Sequence, residues 1–225
     1  MERRDLGDTA VGRFMTLVFD LIFINLLFII CSLPVFTSGA AAAAMYSVML
    51  KLERGDLFNT FEQFFKSFKS SFRSAVPVCL LVLLGVAIFG GDIWFAINQE
   101  GTVKTVYFVV AAIVGAAAFS IAAWAYPLIA VYDNTTKEYL KNSLILAGGM
   151  PLYTITVWVI WAIPFGLLLL MNMDIIKAIG YFYVLMGFTI PCYLSCKIIR
   201  RGLAKADPEY AKKFEAEGEK ENEPQ

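Results

Sequence analysis

Hydrophobic residues in this chain collect into runs rather than alternating with polar ones. Nothing ionisable lies in Ser74–Gly91 (18 residues), Thr105–Tyr132 (28), Asn142–Met173 (32) or Ala178–Cys196 (19). About 20 apolar helical residues cross a hydrocarbon core about 30 Å thick, so each run predicts a membrane-spanning helix. From Phe14 to Leu50 another 37 residues are interrupted only by Asp20. That is enough for one span with a tail, or for two spans joined by a tight turn.

Basic residues choose between these alternatives, because Lys and Arg are retained in short cytoplasmic loops. Arg3, Arg4 and Arg13 precede the first run, and Lys51, Arg54, Lys66, Lys69 and Arg73 follow it. Lys137 and Lys141 follow the Thr105 run, and Lys197, Arg200, Arg201 and Lys205 open the tail. The other two connections carry only Lys104 and Lys177, offset by Glu100 and Asp174. Every second connection is basic only if Phe14–Leu50 crosses twice. The expectation is an all-α polytopic bundle of six transmembrane helices at about residues 14–32, 35–52, 75–97, 105–131, 151–171 and 178–197. They form one membrane domain over 1–201, followed by a polar cytoplasmic tail at 202–225 with a short helix starting at Asp207-Pro208. Both termini then face the cytoplasm. A signal peptide is the rival for the first run, but that run exceeds the roughly 7–15 apolar residues of a signal core.

One segment is amphipathic at helical spacing. Phe58, Phe61, Phe64, Phe65, Phe68 and Phe72 fall within about 120° of a helical wheel, with Lys66, Arg73 and, at the border, Lys69 on the adjoining arc. This predicts a separate interfacial helix at about 57–73 lying flat on the cytoplasmic side, its rings facing lipid or the protein's own helices. Each cation near an anionic leaflet is worth about 1 kcal/mol. Thr60 with Gln63, or Asn59 with Glu62, offers a capping pair. Trp94, Tyr107, Tyr181 and Tyr183 toward the outer ends, and Trp124, Tyr126, Tyr132, Tyr153 and Tyr193 toward the inner ends, form interfacial belts. Trp158 and Trp161 lie deeper, where their rings either stack on a sugar or pack in the core.

Composition narrows the chemistry. At 59% hydrophobic with no His and a formal net charge of +0, the chain is not a soluble monomer and lacks the usual general base and metal ligand. It has no phosphate-binding Gly-Lys-Ser/Thr loop and no Gly-x-Ser-x-Gly elbow. Cys31, Cys79, Cys192 and Cys196 fall in spans, where thiols behave as small hydrophobes. No catalytic residue, cofactor, metal or nucleic acid partner is expected; membrane lipids and a transport or regulatory protein are.

Two places on the first hairpin remain candidates. The Leu33–Gly39 turn combines Pro34, which lacks a backbone donor, with Thr37 and Ser38 hydroxyls and Gly39. It is either a broken-helix site for a polar solute or a tight hairpin. Asn25 and Asp20 lie below it on the first helix, and an ionisable residue at bilayer depth is a functional candidate by default. Ala40–Ala44 and the Ala111, Gly115, Ala118, Ala122 series suit close helix contact.

Asn25, Leu33, Pro34, Thr37, Gly39, Ala44, Tyr46, Phe64, Phe65 and Phe68 together resemble the pattern of the YesL-like family of bacterial integral membrane proteins, with Phe28 standing where that pattern has Trp. The resemblance covers roughly the first third of the chain. It implies a small multi-pass protein of the bacterial cell membrane, from a family of unknown function whose relatives are associated with carbohydrate uptake and breakdown. The leading expectation is a non-enzymatic membrane component assisting carbohydrate or other solute transport. The alternative is a scaffold or regulator docking a cytoplasmic partner through the Phe58–Arg73 helix and the charged tail.

Overall fold

A computed structural model describes residues 10–56, 58–169, 180 and 183–208. Every regular element among them is helical: α1 (Ala10–Cys31), a short 3-10 turn (Val35–Thr37), α2 (Ser38–Arg54), α3 (Thr60–Ile97), α4 (Gly101–Val131), α5 (Thr136–Gly149), α6 (Pro151–Leu169) and α7 (Thr189–Ala206). Four helices are long and apolar enough to cross a membrane, or five if the bent pair α5–α6 counts as one. The last expected span, 178–197, lies partly outside the described residues. Its described part contains a helix break at Gly187–Phe188, after which α7 runs on to Ala206, past the expected start of the tail. Pro208 is helical, and the rest of the expected tail helix lies outside the described residues.

The separate flat helix at 57–73 is a correction. Asn59 caps a single 38-residue helix, its side chain accepting hydrogen bonds from the N–H groups of Phe61 and Glu62, and that helix continues without a break to Ile97. Pro77 removes one backbone donor, yet the helix passes through it, as helices packed by neighbours can. At 1.5 Å per residue α3 is about 57 Å long, nearly twice a hydrocarbon core.

That continuity resets the depth of the first hairpin. α2 lies along residues 60–79 of α3: Ser47 and Ser67 share a hydrogen bond of 2.9 Å, and Ser38 Oγ lies 3.3 Å from Cys79 Sγ. The Leu33–Gly39 turn is therefore level with the start of the 75–97 stretch, where the sequence reading had it at the opposite, outer end. The physical reason is register. Fourteen extra residues at the front of α3, Thr60–Arg73, give the 17-residue α2 most of its partner, so that only the start of α2, at Ser38 and Gly39, reaches the first turns of the apolar stretch at Ala75 and Cys79.

Beyond Cys79, α3 packs on α4. Gly85 meets Ala118, Gly115 receives the Phe89 ring, and Phe95 stacks on Tyr107 at 5.7 Å. Leu80, Leu84, Ile88, Trp94, Val106, Val109 and Ile113 of this hairpin are exposed, a surface suited to lipid. The small residues Ala111, Gly115 and Ala118 face the helix contact.

Elsewhere α2 is the centre of the core. Ala40, Ala41, Ala43, Ala44, Met45, Tyr46, Val48, Met49 and Leu50 are all buried, so the block weakest in transfer free energy is shielded by protein rather than lipid. α5, where no helix was expected, and α6, which starts at 151 as expected, meet at 102°. Pro151 opens α6 and forces Met150 out of helical geometry (φ −133°, ψ 60°). Trp124 is corrected from an interfacial residue to a core one: it is fully buried, and its indole N–H donates to Thr154 Oγ1 at 2.9 Å.

Candidate functional site

The turn between α1 and α2 satisfies itself. Thr37 Oγ1 lies 2.5 Å from the Cys31 carbonyl and 2.7 Å from that of Pro34, capping the end of α1, while Ser38 Oγ donates to Val35 O at 2.7 Å. Gly39 has no room for a side chain: a Cβ there would sit 2.5 Å from Cys79 Cβ and 2.9 Å from Ala75 O. Hydroxyls that stood as solute ligands in the sequence reading are engaged with local carbonyls, and the glycine is there for close approach. The geometry is that of the tight hairpin.

Asn25 is fully buried, and its amide is used completely. Nδ2 donates to the carbonyls of Tyr183 (3.1 Å) and Val184 (2.7 Å), and Oδ1 accepts from the N–H groups of Phe188 (3.0 Å) and Thr189 (3.3 Å). Helix α7 has no side-chain cap of its own at Phe188. A residue on α1 thus caps it from 163 positions away in the chain, takes up the Val184 carbonyl whose helical donor, Phe188 N–H, turns to Asn25, and gives a second donor to the Tyr183 carbonyl, which also accepts from Gly187 N–H at 3.0 Å. Gly187 faces Tyr183 too closely for any side chain. Four bonds leave Asn25 with no capacity for a solute. Phe28, at the position where the family pattern has Trp, packs its ring 5.1 Å from that of Phe188.

Asp20 is also buried, and Thr60 Oγ1 donates to its Oδ1 at 2.8 Å, tying α1 to the first turn of α3. Sequence reading treated Thr60 only as a cap; the polar position just before the Phe run was the available signal for a second role. Arg54 pairs with Asp56 at 2.7 Å just beyond α2, and the partly exposed Arg200 of α7 reaches the nearly buried side chain of Glu53 on α2 at 3.0 Å. Removing the Thr60 hydroxyl as Thr60→Val should destabilise the protein by about 1–3 kcal/mol, the range for a lost hydrogen bond to a buried carboxyl group. Denaturation by sodium dodecyl sulfate from a mild detergent would measure it, and an unchanged midpoint would show that the Asp20 contact carries no weight.

The aromatic stripe of α3 divides. Phe64 is fully buried and, with Phe68 and Phe58, packs on the α2 core. Phe61, Phe65 and Phe72 are exposed, and so are Lys66, Lys69 and Arg73. Phe61 bridges to Phe23 of α1 (6.3 Å) and to Phe65 (4.7 Å), so the exposed rings form a continuous edge across two helices.

Sequence reasoning missed a junction of α2, α6 and α7. The Tyr46 hydroxyl faces Trp161 and Ser195 there, beside the buried Cys192 and Cys196. Ser195 Oγ and Trp158 Nε1 are buried without a hydrogen-bond partner among the described residues. Among those residues no group of three His, Cys, Asp or Glu side chains could hold a metal ion.

Residues 21–93 match the model of the family described as "Protein of unknown function, DUF624". That segment corresponds to the second half of α1, all of α2 and most of α3, where Gly39 and Phe64 pack α2 against α3. The "Uncharacterized protein YesL" of Bacillus subtilis (strain 168) is 26% identical over 150 residues, covering 65% of this chain and 70% of the relative. No solved structure matches the chain. The family match over residues 21–93 and the similarity to YesL support a YesL-like protein of the DUF624 family.

Proposed function

We propose that this chain is a non-enzymatic membrane protein that docks a partner at its basic, cytoplasmic side through the outward face of α3. The observation carrying this reading is that Phe61, Phe65 and Phe72 stay exposed next to Lys66, Lys69 and Arg73, on a helix continuous with the apolar stretch that follows Arg73. Exposed rings offer apolar contact, and the three cations favour an acidic partner surface and speed its encounter. The charge count along the chain supports placing this face, and both termini, in the cytoplasm.

A photo-crosslinking residue in place of Phe65, activated in intact cells, tests the docking reading. The expected result is a discrete protein adduct that disappears when Lys66, Lys69 and Arg73 are replaced by Gln. Adducts to lipid alone would overturn it.

A solute-handling role is the second reading. It is supported by Ser195 Oγ and Trp158 Nε1, buried without a hydrogen-bond partner among the described residues, with carbohydrate as the solute class the family resemblance implies. Uptake of single carbon sources with and without the protein distinguishes it from docking.

A further inference from the structure

A cleft of about 380 Å³ opens between α3 and the α4–α5 connection. This is within the range of small-molecule sites, roughly 300–1,000 Å³. Ser70, Ser71 and Ser74 line one wall, Asp133 and Glu138 the other, and Ile129 supplies an apolar patch. No Lys or Arg side chain is among the lining residues, although Lys69, Arg73, Lys137 and Lys141 are close in sequence.

The facing wall is held in shape. Thr135 and Glu138 form a reciprocal capping box at the start of α5. The Asn134 N–H donates to the Tyr139 hydroxyl at 2.9 Å, which itself donates to Tyr132 O at 2.5 Å. Glu138 Oε2 accepts from the Thr135 N–H at 2.7 Å and its Oγ1 at 2.9 Å, which holds this carboxyl group, outside the uncharged stretches, below the usual carboxylate range. Its second oxygen is left for another donor. Asp133 is exposed and makes no ion pair among the described residues. Ser71 is only 6% exposed, yet its hydroxyl lines the cleft and has no hydrogen-bond partner among the described residues.

Two carboxylates and a set of hydroxyl acceptors, with no cation among them, repel phosphate and attract a cation. The geometry calls for a cation with several N–H donors, since acceptors converge from two walls, and Ile129 suits a short methylene chain. We propose that this cleft binds a primary ammonium group, carried either by a small free amine or by the ethanolamine headgroup of a phospholipid. An ammonium has three donors and matches an acceptor on each wall with one for water. This inference does not rest on the docking reading, which concerns the face around Phe65.

Binding of radiolabelled ethanolamine to the full chain in detergent, by equilibrium dialysis, tests the first source. Retention of phosphatidylethanolamine over phosphatidylglycerol in mixed nanodiscs tests the second. Saturable binding in either arm, weakened about tenfold or more by Ser71→Ala and by Asp133→Asn, as loss of a charge-assisted contact predicts, is the expected result. The arm that responds identifies the source. Choline, which has no N–H donor, should compete poorly. Asp133 is exposed, so Asp133→Asn tests the site even if Ser71→Ala fails to fold. Equal binding of choline, binding unaffected by Asp133→Asn, or no saturable binding in either arm would overturn the proposal.

Discussion

Asn25→Leu is expected to be the most destabilising single substitution in the protein, by roughly 3–5 kcal/mol, because it takes the amide partner from the Val184 carbonyl and from the Phe188 and Thr189 N–H groups where water does not reach, and leaves the Tyr183 carbonyl with Gly187 N–H alone. The side chains are of similar size, so loss of packing is a minor part of the effect. The bonds at stake join α1 to Tyr183, Val184, Phe188 and Thr189. α7 should therefore lose its anchor as well as its cap. Asn25→Asp separates the two halves of the bracket. An ionised carboxylate still accepts from Phe188 and Thr189 but repels the carbonyls of Tyr183 and Val184. The carbonyl half of the bracket is then lost while the N–H half is kept. Unfolding midpoints in detergent would measure both variants. A wild-type midpoint for Asn25→Leu would refute the bracket.

Gly39→Ala is expected to cost about 1–3 kcal/mol, and Gly39→Val more, since the new Cβ meets another Cβ and a backbone oxygen rather than the movable end of a long side chain. The distances are 2.5 Å to Cys79 Cβ and 2.9 Å to Ala75 O. α2 would have to move off α3. Shortening the neighbour as Cys79→Gly should recover part of the loss in the double variant, because the backbone oxygen of Ala75 remains. Gly90→Ala and Gly91→Ala serve as controls: a Cβ at either position meets nothing within 4 Å, and replacing a helical Gly by Ala should be neutral or stabilising by up to about 1 kcal/mol. If Gly39→Ala behaved like these controls, the close approach of α2 and α3 would be wrong.

Residues with local jobs were legible before the fold was known. The ends of α3 and α4 at Ile97 and Val131 follow from where apolar runs meet turn residues. The capping option at Asn59, the packing use of Ala111, Gly115 and Ala118, and the hairpin character of Pro34–Gly39 were all among the readings the sequence offered. Residues whose partners are distant in sequence were misread. Asn25 looked like a solute ligand because a buried amide on a membrane helix has no visible partner until residues 183–189 are brought to it. Trp124 looked interfacial because its position near the end of an apolar run does not reveal Thr154.

The interfacial helix failed for a related reason. A change in hydrophobic period from an amphipathic stretch to a wholly apolar one marks a change of surroundings, and helical hydrogen bonding, which is local, need not break there. Composition and the spacing of charges by themselves determined that this chain is helical and membrane-like, because the bilayer tests each segment separately for length and polarity. Which depth each helix occupies against its neighbours, and which polar groups are left to meet anything else, was decided only by tertiary packing. Contacts such as Gly39 on Ala75, Asn25 on Phe188 and Asp20 on Thr60 depend on shape and unsatisfied hydrogen bonds between segments far apart in the chain, and no local pattern encodes them.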